Sequence, residues 1–562
     1  MTKNLLIIGG TYSPHRTVLQ LQESKLAAFL AKVGGERHLD AGSDEEGAYW
    51  FELERAYFPF KKSPILQHRA SQDSVTGLAE LILEREAKDL GFTSKIVSLD
   101  RVLDNRWQLI DKRIFDEVEF VAVSTTYIPA MLVGPILRAL RVPERIKLFV
   151  GGPGAYKLKD RDLASTPFSY LLKSEAEGRF ATLLRHATGD DVDLSSIPGL
   201  TFRLGSELRS SSVPRTYVDL DSLPLPDFRT MAREWGGRVI YESTRGCPYR
   251  CEFCDYPFLM GNTKFRTKSA ETIHRDWTAL HAEMGVRDVL CLDSLFTVPP
   301  ARLLELCDRM VDSGLNQKIR WGCYARPNDL ADREFAARMR EAGCEYVYVG
   351  FESGSQEVLD YMNKKCTVEE SARAIENCHQ VGLLTFGLFI AGFPGETPEM
   401  FESTRTLLKE NPPFAISVVP WFPDFADDSS VPIMRPDRIE KFAIRPEHPS
   451  TKPVTMWRNS AFRAPLTVPW GSYWTHRGMD LQDAVDLVSG VVEDVYSGRI
   501  RAVSEELFYP RTLDDGLTLF QQLGRDRALR FYHGLSRAVL DDRPDSFSEL
   551  RESVGLQFSP SR

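Results

Sequence analysis

The sequence predicts an α/β protein: a Rossmann-like N-terminal domain, a second array of strand–helix units and a mostly helical C-terminal region. Three observations point there. Short apolar runs alternate with helical stretches across the middle third of the chain. A similar succession fills the first third, starting at Leu5-Leu6-Ile7-Ile8-Gly9-Gly10. Between them lies a proline-marked segment, with Ile197-Pro198-Gly199-Leu200 and then Leu220-Asp221-Ser222-Leu223-Pro224-Leu225-Pro226-Asp227. Strands alternating with helices imply parallel sheets with right-handed crossovers. At 562 residues the chain has room for three or so domains. The boundaries read as 1–190, a linker at 191–232, 233–420 and 421–562.

The first array runs in order. Its opening strand is a buried parallel one ending in a glycine turn. A helix at 78–90 ends at Gly91, and a strand follows at 94–98. The strand at 118–124 runs into Thr125-Thr126-Tyr127, and a helix covers 135–140. The strand at 147–150 ends in Gly151-Gly152-Pro153-Gly154. A short strand at 170–172 precedes Lys173-Ser174-Glu175-Ala176-Glu177-Gly178. Between the first strand and its helix lies a long segment, 11–74, with a helix expected at 18–33 and an aromatic, acidic stretch at 49–54. A segment of that length is usually functional or separately structured.

The second array opens with a strand at 238–241. Helices are expected at 272–284, 300–313, 331–342 and 367–380. Strands are expected at 288–292, 319–324, 345–350 and 385–391. The third strand runs on to Arg326. The fourth precedes Phe351-Glu352-Ser353-Gly354, and the fifth precedes Gly392-Phe393-Pro394-Gly395-Glu396-Thr397. Ligands in α/β proteins gather at the carboxyl ends of strands. Arg326, Glu352, Ser353 and Gly392 are therefore candidate ligand contacts. Glu352 also reads as a carboxylate near a helix N-terminus, and Arg326 as a solvated surface charge.

The first strand of this array leads into Cys247, Cys251 and Cys254, spaced C-x3-C-x2-C. Three thiolates on a short loop suit a [4Fe–4S] cluster held at three corners. A structural zinc site usually takes four protein ligands, and no C-x2-C partner occurs elsewhere. All nine cysteines lie between 247 and 378. The other six stand largely in apolar runs and read as small buried hydrophobes. No signal-peptide pattern and no membrane-length apolar run is present. A reducing cytoplasm is expected, so disulfides are not. The net charge of −9, without a basic run, argues against nucleic acid as a partner.

The cysteine spacing, with the strand-end strings after it, resembles the radical S-adenosylmethionine (SAM) family. That resemblance implies a partial (βα)6 barrel, in which the cluster's open iron chelates SAM and an electron cleaves it to a 5′-deoxyadenosyl radical, and it makes Arg326, Glu352, Ser353 and Gly392 candidate SAM contacts. The first array resembles the cobalamin-binding domain of the B12-dependent subfamily. The match lies in the Gly-Gly-Pro turn, the Glu-x-Glu before a helix and the Leu-Pro-x-Pro linker, and it covers roughly residues 1 to 420 with the barrel. It makes Ser124, Thr125, Thr126, Gly151, Gly152 and Glu175 candidate corrin contacts. The same residues also read as turn glycines and helix-capping hydroxyls. The Asp-x-His-x-x-Gly string of proteins that bind cobalt through histidine is absent, so no protein nitrogen is expected on the metal. A flavin site in the first domain is the alternative.

After about Pro420 the chain is rich in proline and aromatics. Trp457, Trp470, Tyr473, Trp474 and His476 precede helices expected at 481–496 and 517–540. His476 and Tyr473 are candidate substrate contacts. Family resemblance implies a methyltransferase acting on an unactivated carbon of a small-molecule or peptide natural-product intermediate. The alternative is ring formation or rearrangement without methyl transfer. An electron donor such as flavodoxin or ferredoxin is the expected partner, and no membrane is expected.

Overall fold

The computed structural model describes residues 3–9, 11–12, 74–75, 77–103, 108–126, 128, 130–158, 160–214, 216–234, 237–258, 264–421, 423, 429–446, 454–457, 463–466 and 474–504. The expected helices at 18–33 and 517–540, the stretch 49–54, Trp470 and Tyr473 lie outside these residues.

The first sheet holds β1 (Lys3–Gly9), β2 (Phe92–Ser98), β3 (Phe120–Ser124), β4 (Lys147–Gly151) and β5 (Tyr170–Leu172), all parallel, in the order β2-β1-β3-β4-β5. The order reverses between β1 and β3, which opens a crevice at their carboxyl ends. Both faces are covered, which is why the central strands β1 and β3 read as apolar runs. Leu6, Ile8, Val121 and Val123 pack on the helix α1 (Ala130–Leu140). Leu5, Ile7, Ala122 and Phe149 pack on α2 (Arg179–Ala187). An antiparallel hairpin, β6 (Leu200–Leu204) and β7 (Glu207–Ser210), extends the sheet beyond β5. The sheet thus continues into the stretch expected as a linker, because Leu200 and Phe202 join the core beneath α2.

The second sheet is parallel throughout and sequential: β8 (Arg238–Tyr241), β9 (Asp288–Cys291), β10 (Arg320–Ala325), β11 (Cys344–Glu352), β12 (Leu384–Ala391) and β13 (Ala415–Pro420). A two-residue strand, β14 (Val503–Ser504), adds beside β13. Helices α3 (Ala270–Met284), α4 (Pro300–Asp312), α5 (Arg333–Glu341), α6 (Val368–Val381) and α7 (Pro398–Glu410) connect successive strands. Local chemistry sets their ends. The Ser269 hydroxyl accepts from Thr272 N at the start of α3, and Thr367 with Glu370 forms a reciprocal cap on α6. Val289, Cys291, Trp321, Cys323, Val347 and Val349 bury against these helices. By the two-residue period of a strand, their neighbours Leu290, Tyr324 and Tyr348 face the barrel interior, as do Leu388 and Ile390 beside the helix-facing Phe389 and Ala391 of β12.

A buried ion network closes the barrel floor. Asp288 accepts from Arg238 Nε at 2.9 Å, from Arg320 Nε at 2.7 Å and from the Tyr346 hydroxyl at 3.1 Å. Burial alone would raise the Asp288 pKa, but the two guanidiniums, Arg238 foremost, hold it below the ordinary carboxylate range. Tyr346 starts two strands away and must cross over Gly322 on β10. Any side chain at 322 would overlap its ring.

The described part of the C-terminal region contributes α8 (Leu481–Tyr496). It also forms a separate core in which Trp421, Ile433, Phe442, Trp474 and Ala484 pack over Phe393.

Candidate functional site

The cysteine loop leaves β8 over a buried carboxylate. Asp293 accepts from Ser243 N and Thr244 N, both at 2.7 Å, and from the Ser243 hydroxyl. Burial pushes its pKa up to about 6. Cys251 is buried, while Cys247 and Cys254 are half-buried. A turn joins the last two, with Cys254 N donating to Cys251 O at 3.2 Å. Burial raises the Cys247 thiol, and neighbouring Cys251 adds to it. The Cys254 thiol is pushed up to about 12 for the same reasons. Arg326, just beyond β10, donates through Nη1 to Cys251 Sγ at 3.8 Å. Its guanidinium lies 3.8 Å from the Tyr249 ring centroid. Its Nη2 is buried with no partner among the described residues.

The donor set, three thiols on one short loop, is of the kind a [4Fe–4S] cluster takes. Among the described residues, no three His, Cys, Asp or Glu side chains converge as they would on one metal. In a four-iron cluster each thiol binds a different iron, so the sulfurs stay apart. Bound iron deprotonates its thiols and removes the penalty that burial imposes. Cys247, Cys251 and Cys254 would hold the cluster. The open Nη2 of Arg326 points to a further acceptor beside it.

At the end of β11, Glu352 has a φ of 65°, and the pairing with β12 shifts between Gly350 and Glu352. A non-glycine residue in the left-handed region at a strand end stores strain that its surroundings must hold. Here the Glu352 carboxylate accepts from Lys364 Nζ at 2.7 Å, both side chains being buried. Cys366, also buried, lies within the field of Lys364, Arg326 and Glu352.

Ser353 and Gly392 are engaged in turns. The Ser353 hydroxyl sits 3.3 Å from that of Thr404 and accepts from Ser355 N at 3.1 Å. Gly392 N donates to Glu396 Oε2 at 2.6 Å, and Gly392 O accepts from His476 Nε2 at 3.1 Å. Trp474 and Ala484 cover its α-carbon. His476 Nδ1 accepts from Gly478 N at 3.0 Å, so its one proton sits on Nε2. Burial lowers its pKa to about 4. His476 is therefore a neutral pin for the turn. Burial pushes the Glu396 carboxyl up to about 8, and its Oε1 has no partner among the described residues.

The candidate corrin contacts gather at the carboxyl edge of the first sheet. The Ser124 and Thr126 hydroxyls are 3.0 Å apart. Thr125 Oγ1 donates to Gly151 O at 2.7 Å and accepts from Ala155 N at 2.9 Å. Gly152 holds a φ of 102°, which a side chain rarely adopts, and its α-carbon lies against Thr125 and Thr126. Glu175 faces the barrel. It accepts from Val218 N at 2.9 Å and pairs with Arg266 and, at 3.3 Å, with Arg245.

Sequence reasoning passed over Lys157, Arg245, Asp255 and Lys364, and took Glu177 only as part of the Glu-x-Glu string. The one available signal was a charge within two residues of a motif already singled out, as at Arg245 and Asp255.

Residues 241–408 match the family model of the Radical SAM superfamily. An uncharacterised methyltransferase of Pyrococcus horikoshii is 28% identical over 341 residues, 59% of this chain and 72% of that protein. The anaerobic magnesium-protoporphyrin IX monomethyl ester cyclase of Cereibacter sphaeroides is 27% identical over 299 residues, 51% of this chain and 46% of the cyclase. The chain thus spans under half the length of that second relative. Among solved structures, the radical SAM methyltransferase TsrM of Kitasatospora setae, with cobalamin and a [4Fe–4S] cluster bound, aligns over 98% of this chain and 100% of its own. Its TM-score is 0.55 at 16% identity, a likeness of fold. Among the described residues no helix is long and apolar enough to cross a membrane.

Proposed function

We propose that the chain is a cobalamin-dependent radical SAM methyltransferase, a reading supported by the match of residues 241–408 to the Radical SAM superfamily and by the methyltransferase relative. Its substrate is a small-molecule or peptide intermediate whose reacting carbon is unactivated. The observation that carries this reading is the meeting of three features: the cysteine loop, the half-satisfied guanidinium of Arg326 and the strained Glu352 at neighbouring strand ends. When bound, the cluster with SAM supplies radical chemistry and the cobalamin a methyl carrier. An electron donor of the flavodoxin or ferredoxin type completes the requirement.

The chain's own residues bind, orient and exclude water. Arg326 offers Nη2 to a carboxylate such as that of SAM, in a buried setting where a charge-assisted bond is strong. Lys364 holds Glu352 in place. Leu290, Tyr324, Tyr348, Leu388 and Ile390 line the interior with uncharged surface. Tyr324 and Tyr348 stack at 5.0 Å, and Tyr348 and Phe386 at 4.7 Å. Such a lining keeps water from a reactive intermediate. Ser124, Thr125, Thr126, Gly151, Gly152 and Glu175 form the edge against which a corrin would lie.

The second reading, ring formation or rearrangement without methyl transfer, is favoured by the cyclase relative. Anaerobic incubation with SAM carrying a deuterated methyl group, reductant and hydroxocobalamin separates the two. Methyl transfer yields S-adenosylhomocysteine and label in the cobalamin fraction or product. 5′-Deoxyadenosine without either would overturn the methyltransferase reading and favour the second. A protein that takes up neither iron nor cobalamin would overturn both.

A further inference from the structure

Three parts of the chain meet at the cysteine loop, and charged side chains grip it at both ends. Arg245 stands two residues before Cys247. Its guanidinium bonds Glu242 of its own segment at 2.8 Å and reaches Glu175 and Glu177 beyond β5 of the first sheet. Asp255 follows Cys254 directly. It accepts from Lys157 Nζ at 2.9 Å, and Lys157 follows the Gly151-Gly152 turn of β4. Between these ends, Glu252 pairs with Arg438 at 3.1 Å and Arg435 at 3.4 Å from the C-terminal region.

The two outer bridges end on strand-end segments at the carboxyl edge of the first sheet. They therefore tie the thiols to that edge. Arg245 and Glu177 are only 14% and 9% exposed, so water and salt screen them little. Burial would raise the Glu177 pKa, but Arg245 overrides it and keeps the carboxylate ionised. An apolar contact of similar area would let two domains slide. A guanidinium shared among three carboxylates fixes direction as well as distance.

We propose that Arg245 and Lys157, with Glu177 and Asp255, are positioning residues that set the separation and orientation between the group bound by Cys247, Cys251 and Cys254 and the cofactor at the carboxyl edge of the first sheet. This rests on the two-cofactor reading above. The bridges need not touch either cofactor. They act by holding the loop and the edge in one register, since group transfer between two sites is lost over small displacements.

The test uses Lys157→Met, Glu177→Gln and the double variant in the full chain, loaded anaerobically with iron, sulfide and hydroxocobalamin. Glu177→Gln leaves Arg245 paired with Glu175 and Glu242. With the cluster reduced and the cobalt in its paramagnetic state, electron paramagnetic resonance reads the magnetic interaction between the two centres. The wild type should give one defined interaction. The double variant should keep its iron and cobalamin content while that interaction weakens or spreads, and its ratio of 5′-deoxyadenosine to S-adenosylhomocysteine should rise. Without any cofactor, amide exchange across 245–255 should speed up about tenfold in the variant, as local opening loses its ties. Unchanged spectra, product ratio and exchange in a well-loaded variant would overturn the positioning role and leave the functional reading standing. A wild type that takes up iron but no cobalamin would overturn the functional reading and this proposal with it. If the double variant does not fold, Lys157→Met, whose pair is one-third exposed, carries the same measurements.

Discussion

The hydroxyl of Tyr346 reaches the carboxylate of Asp288, two strands away, at 3.1 Å, because Gly322 leaves the strand between them bare. Gly322→Ala should therefore force the ring off its partner. Overpacking of this kind costs about 1–3 kcal/mol. Tyr346→Phe, which deletes only the hydrogen bond, should cost about 1 kcal/mol. Denaturant unfolding of both variants checks the order, and an alanine as benign as the phenylalanine would contradict the crossing.

Asp288→Ala should be far worse than either. It leaves Arg238, 1% exposed, as a buried charge without its carboxylate. Breaking a buried pair from one side costs about 3–5 kcal/mol. Thermal unfolding should show that loss, and adding Arg238→Met in the same chain should recover part of it.

Which of these features could be read beforehand follows from how local their causes are. The strands of the barrel and the helices over 270–284 and 481–496 announced themselves through periodicity and caps that lie within each segment. The cysteine loop did so through spacing alone. The floor network was not legible, because Arg238 and Asp288 stand 50 residues apart and meet only once strand register is set. Arg245 and Glu177, 68 residues apart, stand in segments that follow strands of different sheets. His476 was read as a candidate substrate contact, and its stacking on Trp474, at 5.1 Å and 8°, depends on a core that no local pattern encodes. The hairpin at 200–210 was missed because its alternating Leu-Thr-Phe-Arg-Leu lies among turn residues.

Replacing Cys247, Cys251 or Cys254 with alanine should lower bound iron and abolish SAM cleavage. Wild-type protein reconstituted anaerobically should carry about four irons per chain. Cys291→Ala should keep its iron, since that thiol is buried in the helix-facing core. Iron analysis and the visible spectrum decide this, and full iron in all three loop variants would refute the assignment.

Arg326→Met should weaken SAM binding to the cluster-loaded protein about tenfold, or ~1.4 kcal/mol. Anaerobic equilibrium dialysis reads the change. Unaltered affinity would place the open Nη2 outside the SAM site.

Glu396 gives the chain a pH signature. Its folded pKa, about 8, lies above the usual carboxylate value. Its neutral form therefore stabilises the fold fully below pH of roughly 4.5, and that contribution is lost as pH rises through 8. Glu396→Gln keeps an acceptor for Gly392 N and cannot ionise. The variant should match wild type near pH 5 and exceed it in melting temperature near pH 8. A constant difference across that range would rule out a neutral Glu396.

The short strand β14 has a bearing on how the protein is handled. Val503 and Ser504 pair with Ala415 and Ile416, and Ile500 and Ala502 are fully buried just before them. They blunt one rim of an otherwise open parallel sheet. An uncovered rim of that kind is a template for any other extended chain. A shortened version ending before residue 500 would retain the cysteine loop and most of the barrel, yet expose this rim to its neighbours in solution. Its failure would be precipitation during preparation rather than a defect of chemistry, and an inactive truncated product should be checked for aggregation before any loss is assigned to the site.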